Sequence, residues 1–170
     1  MRKLVRYKMA LLIILLLALS PLSALGIGEE CPTFFLPSLS GGIFNSERVL
    51  GKKKLLIWFS NFDENFNNGI PGLLSLYQKF PGDQVEFLII SVNGEDKTSA
   101  QKAMEEFFIS FPILLDPQGT VCRKFSGFYL TGVVPMKNLF LVGRDKKIKL
   151  ADHFPGIPEK VINARLKEME

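Results

Sequence analysis

The stretch KKKLLIWFS, residues 52–60, opens on three lysines and then runs apolar for five residues before a serine. An apolar run without alternation, closed by an aromatic pair, predicts a strand buried on both faces, the kind found inside a parallel sheet. A second such run, VEFLIISV, occupies residues 85–92. Between them lie a polar loop, residues 61–69, and a stretch from Pro71 with apolar residues at helical spacing, ending at Phe80-Pro81-Gly82. Proline suits the first turn of a helix, so the helix is expected to begin there. Strand, helix, strand at this spacing implies a parallel crossover.

Outward from that unit, residues 33–36 read as a short strand and Ser40-Gly41-Gly42 as a turn. Thr98 with Gln101 forms a candidate capping box for a helix over residues 98–108. Residues 112–115 are short and apolar, Asp116-Pro117-Gln118-Gly119 is a turn signal, and residues 120–125 allow two helical turns. Residues 138–142 and 147–151 suggest a hairpin about a turn at 143–146. A last helix from Pro158 would set Val161, Ile162, Leu166 and Met169 on its inner side. The expected fold is α/β, with three layers: a central mixed sheet, flanking helices and extra N-terminal strands.

The first 26 residues have another character. Arg2, Lys3, Arg6 and Lys8 precede an apolar run over residues 9–19, and Ala24-Leu25-Gly26 supplies small residues at the exit. This is the build of a secretory signal, and the run is shorter than the roughly 20 residues that span a bilayer. Residues 1–26 are expected to act as a cleaved signal or a retained N-terminal anchor, leaving residues 27–170 as one domain outside the cytoplasm, periplasmic or held at the inner membrane. Four of the 21 basic side chains and none of the 17 acidic ones lie in that segment. The remainder is therefore neutral, which argues against nucleic acid and leaves the N-terminal segment as the only membrane contact.

Four phrases carry a resemblance: Cys31-Pro32-Thr33-Phe34 with Gly41-Gly42, the strand LLIWFS, EFLIISVN, and FPILLDPQGTVCRKF followed by FLVGRDKKI. In this order they resemble the redoxin or AhpC/TSA division of the thioredoxin superfamily, nearest to exported thiol-disulfide reductases of the TlpA/ResA kind. The resemblance implies a Cys-x-x-Cys after residues 55–60, its first thiol at a helix N-terminus that favours the thiolate. With Ile70-Pro71 set on the family's apolar-Pro dipeptide, those positions fall on Asp63 and Phe66. No cysteine lies between Cys31 and Cys122, so the pair is absent in any register, and so is a peroxiredoxin-type thiol. The family also carries a cis-proline about three residues before the phenylalanine matching Phe140; here Lys137 stands there and Pro135 comes earlier.

Cys31 and Cys122 stand where the resemblance implies small buried residues. They are read as inert thiols, as one structural disulfide, or as a relocated redox pair. Oxygen-bearing side chains alternate through residues 61–68, but the glycine and glutamate spacing of a calcium loop is missing, so no metal and no cofactor is expected. His153, the single histidine, is expected to be structural or at the surface, and Trp58 and Phe59 to pack in the core. The expected function is a non-catalytic module with a degenerate active site, binding a protein or peptide. Its candidate binding loops run over residues 61–70 and 133–138, with Asn61, Asp63, Glu64, Asn65 and Phe66 on the first and Pro135, Met136 and Lys137 on the second as the candidate residues. The alternative is a thiol-disulfide oxidoreductase or antioxidant protein working through Cys31 and Cys122.

Overall fold

A computed structural model describes residues 24–92, 97–127 and 135–169. The chain begins with two short strands, β1 (Phe35–Pro37) and β2 (Ile43–Asn45), paired antiparallel, and a 3-10 turn over Ser46–Arg48. Then follow β3 (Lys54–Ser60), α1 (Glu64–Lys79), β4 (Val85–Ser91), α2 (Lys97–Glu106), β5 (Ile113–Leu115) and α3 (Thr120–Phe125). The chain closes with β6 (Leu139–Val142), β7 (Ile148–Asp152) and α4 (Glu159–Glu168). Five strands form one mixed sheet in the order β5-β4-β3-β6-β7. The first three are parallel, and β6 and β7 add antiparallel neighbours. The three-layer α/β fold is the one expected from the sequence.

All seven residues of β3 are buried, from Lys54 to Ser60. Its pairing with β4 on one side and β6 on the other engages its main chain along both edges. Alternate side chains then feed two apolar layers. Leu56 and Trp58 pack with Phe66, Ile70 and Leu73 of α1, Ala100 and Ala103 of α2, and Ile162 and Leu166 of α4. Leu55, Ile57 and Phe59 face the other layer, with Phe34, Leu36, Val121, Cys122 and Phe125. Lys54, although only 1% exposed, places its ammonium 2.9 Å from the carbonyl of Leu166. There it serves the C-terminal end of α4, where the helix dipole favours a cation.

The N-terminal stretch meets both sheet edges. Leu39 N–H donates to the Ile113 carbonyl of β5 at 2.8 Å, and Gly28 N–H to the Ile148 carbonyl of β7 at 2.8 Å. Cys31 N–H adds a bond to the Lys146 carbonyl at 2.8 Å. A sheet edge left open is a template for unwanted pairing, and this strapping removes part of that exposure.

Several expectations require correction. The first helix begins at Glu64, not at Pro71, because Asp63 caps it and Phe66, Gly69, Ile70 and Leu73 fall on one buried face. Pro71 lies inside the helix on its exposed side. Gly69 is required there: a Cβ would stand 3.0 Å from the Phe154 ring and 3.1 Å from the Trp58 ring. Thr98 lies within α2, which starts at Lys97, and Gln101 donates to Glu105 instead of closing a capping box. α2 ends at Glu106, short of Phe108. On α4, Ile162 and Leu166 face inward, but Val161 is 40% exposed because it lies off the 3–4 spacing those two define.

Phe66 is fully buried and stacks on Trp58 at 5.2 Å with the rings 7° from parallel. Phe66→Ala should therefore lower the unfolding free energy by about 3–5 kcal/mol, read from urea denaturation against the unsubstituted chain.

Candidate functional site

The polar end of β3 sets the site. Ser60 ends the buried run, and its Oγ accepts from Phe62 N–H at 3.4 Å. Phe62 takes a φ of 54°, a left-handed conformation unusual for a phenylalanine, which turns the chain from strand into helix. Its ring rests 4.8 Å from that of Phe66. Asp63 follows as the N-cap of α1, its carboxylate accepting from Phe66 N–H at 3.2 Å. A carboxylate there satisfies an otherwise unpaired amide and meets the positive end of the helix dipole.

Asp63 is thus the cap of α1 and Phe66 a core side chain stacked on Trp58. Asp63, Glu64 and Asn65 are exposed as a binding loop requires. Phe66 is not part of that loop: helical periodicity turns it inward onto Trp58.

The opposite wall comes from the chain entering β6. Pro135 is buried, while Met136, Lys137 and Asn138 are half-exposed. Met136 N–H donates to the Gly127 carbonyl at 3.2 Å, and Lys137 N–H to Ser126 Oγ at 2.6 Å. The Asn138 amide grips the Phe154 main chain both ways, donating to its carbonyl and accepting from its N–H, each at 2.7 Å. The Val134–Pro135 bond and residue 133 lie outside the described residues.

Between the walls is a small cavity of about 70 Å³, bordered by Trp58, Asp63, Asn65, Pro135, Asn138 and Phe154 among others. A wider cleft of about 300 Å³ adjoins it, sharing Asn65, Asn138 and Phe154 and adding His153 and Pro155. Asn61, Asp63, Asn65 and Pro135 of the expected binding residues thus meet at one place, whereas Glu64, Met136 and Lys137 do not border the cavity. Asn138 closes the expected 133–138 loop, while Phe154 and Trp58 belong to the site without having been assigned to it. Trp58 combines two roles: its ring is core, yet its indole N–H is buried without an acceptor among the described residues. Leaving such a donor unmatched costs about 1–3 kcal/mol.

Cys31 and Cys122 lie elsewhere, in the layer on the other side of the sheet. Both are free thiols, 4% and 0% exposed, and no disulfide joins them. Burial pushes each thiol up to about 12; Glu30 adds to the effect at Cys31 and Asp116 at Cys122, where Arg123 opposes it. Buried apolar surroundings favour the protonated thiol, the reverse of what a nucleophile needs. Asp116 has a structural task, its carboxylate accepting from the N–H groups of Val121 and Cys122 at 3.0 and 2.9 Å. Among the described residues no three His, Cys, Asp or Glu side chains gather as a metal site would require.

The sequence pattern of the AhpC/TSA family matches residues 27–151. The thiol-disulfide oxidoreductase ResA of Geobacillus thermodenitrificans is 28% identical over 127 residues, 75% of this chain and 69% of that protein. The ResA of Bacillus subtilis is 24% identical over 121 residues, 71% of this chain and 64% of that protein. Among solved structures, peroxidoxin BcpB from Mycobacterium tuberculosis superimposes with a TM-score of 0.70 at 20% identity, covering 85% of this chain and 97% of its own. A putative protein disulfide isomerase from Bacteroides thetaiotaomicron gives a TM-score of 0.70 at 18% identity, covering 85% and 90%. At such identities these structures establish the fold alone, while the family pattern spans most of the sequence. The chain is a thioredoxin-like member of the AhpC/TSA family.

Proposed function

We propose that this chain is a non-catalytic thioredoxin-like module acting outside the cytoplasm, delivered by residues 1–26 as a cleaved signal or a retained anchor. It binds a protein or peptide at the head of α1. The observation that carries this is the capping of α1 by Asp63, the place where thioredoxin-like oxidoreductases need an activated thiol. The cleft survives while the nucleophile is gone, which fits recognition without exchange. Replacing Asn61, Asp63, Glu64 and Asn65 together with Met136 and Lys137 should abolish capture of partners from an extracytoplasmic extract. Retention of every partner would overturn the assignment.

The relocated-thiol alternative has one supporting observation, that Cys31 and Cys122 share a core layer. Their burial opposes it. With thiols pushed up to about 12, only about one in ten thousand is ionised at pH 8. In a dithiothreitol-driven insulin reduction assay, the chain, Cys31→Ser and Cys122→Ser should all match the reagent alone; turnover lost in either variant would establish the alternative.

The same physics gives a positive test. In Asp63→Cys, a thiol stands at the exposed N-cap of a 16-residue helix. Iodoacetamide at pH 7 should label it roughly a thousandfold faster than Cys31 or Cys122, followed by peptide mass mapping.

A further inference from the structure

The ribbon formed by β1 and β2 has an edge that the rest of the fold does not use. Ser46 N–H donates to the Phe34 carbonyl at 3.1 Å and Ser38 N–H to the Gly42 carbonyl at 3.0 Å, so the even-numbered residues of this stretch bond toward β2. In an antiparallel pair the intervening residues point their main-chain groups the other way. On that side pairing with β5 begins: Leu39 N–H donates to the Ile113 carbonyl, and Ser38 lies opposite Leu114. Continued outward, the same register would set Pro37 opposite Leu115 and Pro117 opposite Phe35. Neither proline has an N–H to give, and the pairing stops there. The N–H and carbonyl groups of Thr33 and Phe35 are left without a partner among the described residues.

Where the two chains part lies a cavity of about 510 Å³. One wall is the stretch from Thr33 to Pro37, roughly 13 Å long at strand spacing, and the other runs from Leu115 to Gln118 and on to α3. A row of main-chain donors and acceptors at that spacing is matched by an extended polypeptide. The second wall stands where the next strand of another sheet would have to lie, so a single chain fits and the sheet edge of a second copy does not. Pro32 and Pro37 bracket the free edge and keep any pairing short.

The side chains narrow the choice further. Two ionisable residues, Asp116 and Lys124, line the cavity. Asp116 is 2% exposed and its carboxylate is engaged by the N–H groups of Val121 and Cys122, whereas Lys124 is exposed. Thr33, Gln118 and Thr120, also on the walls, are uncharged. An acidic side chain on the incoming chain is therefore favoured. Phe35 and Ile43, 56% and 66% exposed, share the outer face of the ribbon and offer apolar contact to its neighbours.

We propose that this cleft receives an extended segment of a partner protein, which pairs as a third strand with the free edge of β1 and turns an acidic side chain toward Lys124. Phe34, Leu36 and Val121 belong to the core layer on the far side of the sheet from α1. The surface is thus a second interaction site, and it does not depend on the function proposed for the head of α1.

The full-length 15N-labelled chain is titrated with a pool of capped heptapeptides, Val, Ser and Thr at random about a central Glu. A fully N-methylated version of the pool, and one with a central Lys, are the controls. The Glu pool should shift the Phe35 amide downfield in a saturable way and slow its hydrogen exchange about tenfold. The N-methylated pool should do neither, and the Lys pool should bind about threefold more weakly, the size of an exposed ion pair. Lys124→Glu, a change at an exposed position, should reverse the preference between the two pools. A Phe35 amide indifferent to the Glu pool, or moved as much by the N-methylated one, would overturn the proposal. Peptides that shift Asp63 and Asn65 while Phe35 stays unmoved would overturn it too, and would support the site at α1. A preference left unchanged by Lys124→Glu would overturn the acidic partner.

Discussion

Burial of β3 on every side is the constraint from which the rest follows. A strand whose seven residues are all buried must have its main-chain groups paired along both edges, so β4 and β6 are obligatory neighbours. It must also be covered on both faces, so helices collect on one side and α3 with the N-terminal strands on the other. Its two ends are the places where polar chemistry becomes affordable. At the start, Lys54 can be buried because the open end of α4 supplies a carbonyl for it. At the finish, Ser60 lets the chain leave the core, and within three residues Asp63 has begun a helix.

The site is the finish of that strand. A helix N-terminus pointed at the strand ends of an α/β sheet is a general place for recognising or stabilising negative charge. In a thiol-disulfide oxidoreductase that charge is a thiolate. Here it is the fixed carboxylate of Asp63, an acceptor with no redox chemistry. Phe66, one turn on, turns inward and stacks against Trp58. The two cysteines are buried in the other layer of the core, where desolvation favours the protonated thiol.

What could be read in the sequence depended on how local the determining physics was. The runs LLIWF and FLII announce buried strands because they are short, rich in aromatic and branched side chains, and bounded by turn and polar segments. Residues 120–125 were legible as a short helix because a turn signal and an apolar face coincide there. The start of α1 was not legible, since an asparagine-rich segment with low helical preference reads as loop until Trp58 and Phe154 are known to receive Phe66 and Gly69. Pro71 then misled in a specific way, because it marks a first turn only when no stronger cap precedes it, and Asp63 does. That no cysteine lies between Cys31 and Cys122 was visible in the sequence, but the cleft was not. Asn138 and Phe154 are sixteen residues apart and reveal their mutual grip only once β6 and β7 lie side by side.

The N-terminal stretch limits where a partner chain can dock. A sheet can recruit an extended peptide by adding it to an open edge. Here Leu39 occupies hydrogen-bonding positions on the outer edge of β5, and Gly28, Glu29 and Cys31 do so where the chain enters β7. The extra strands that the sequence suggested pair with each other, and the residues flanking β1 bond to the sheet's own margins. At the strand ends, by contrast, the small cavity beside α1 is bordered by Trp58, whose buried indole N–H has no acceptor among the described residues.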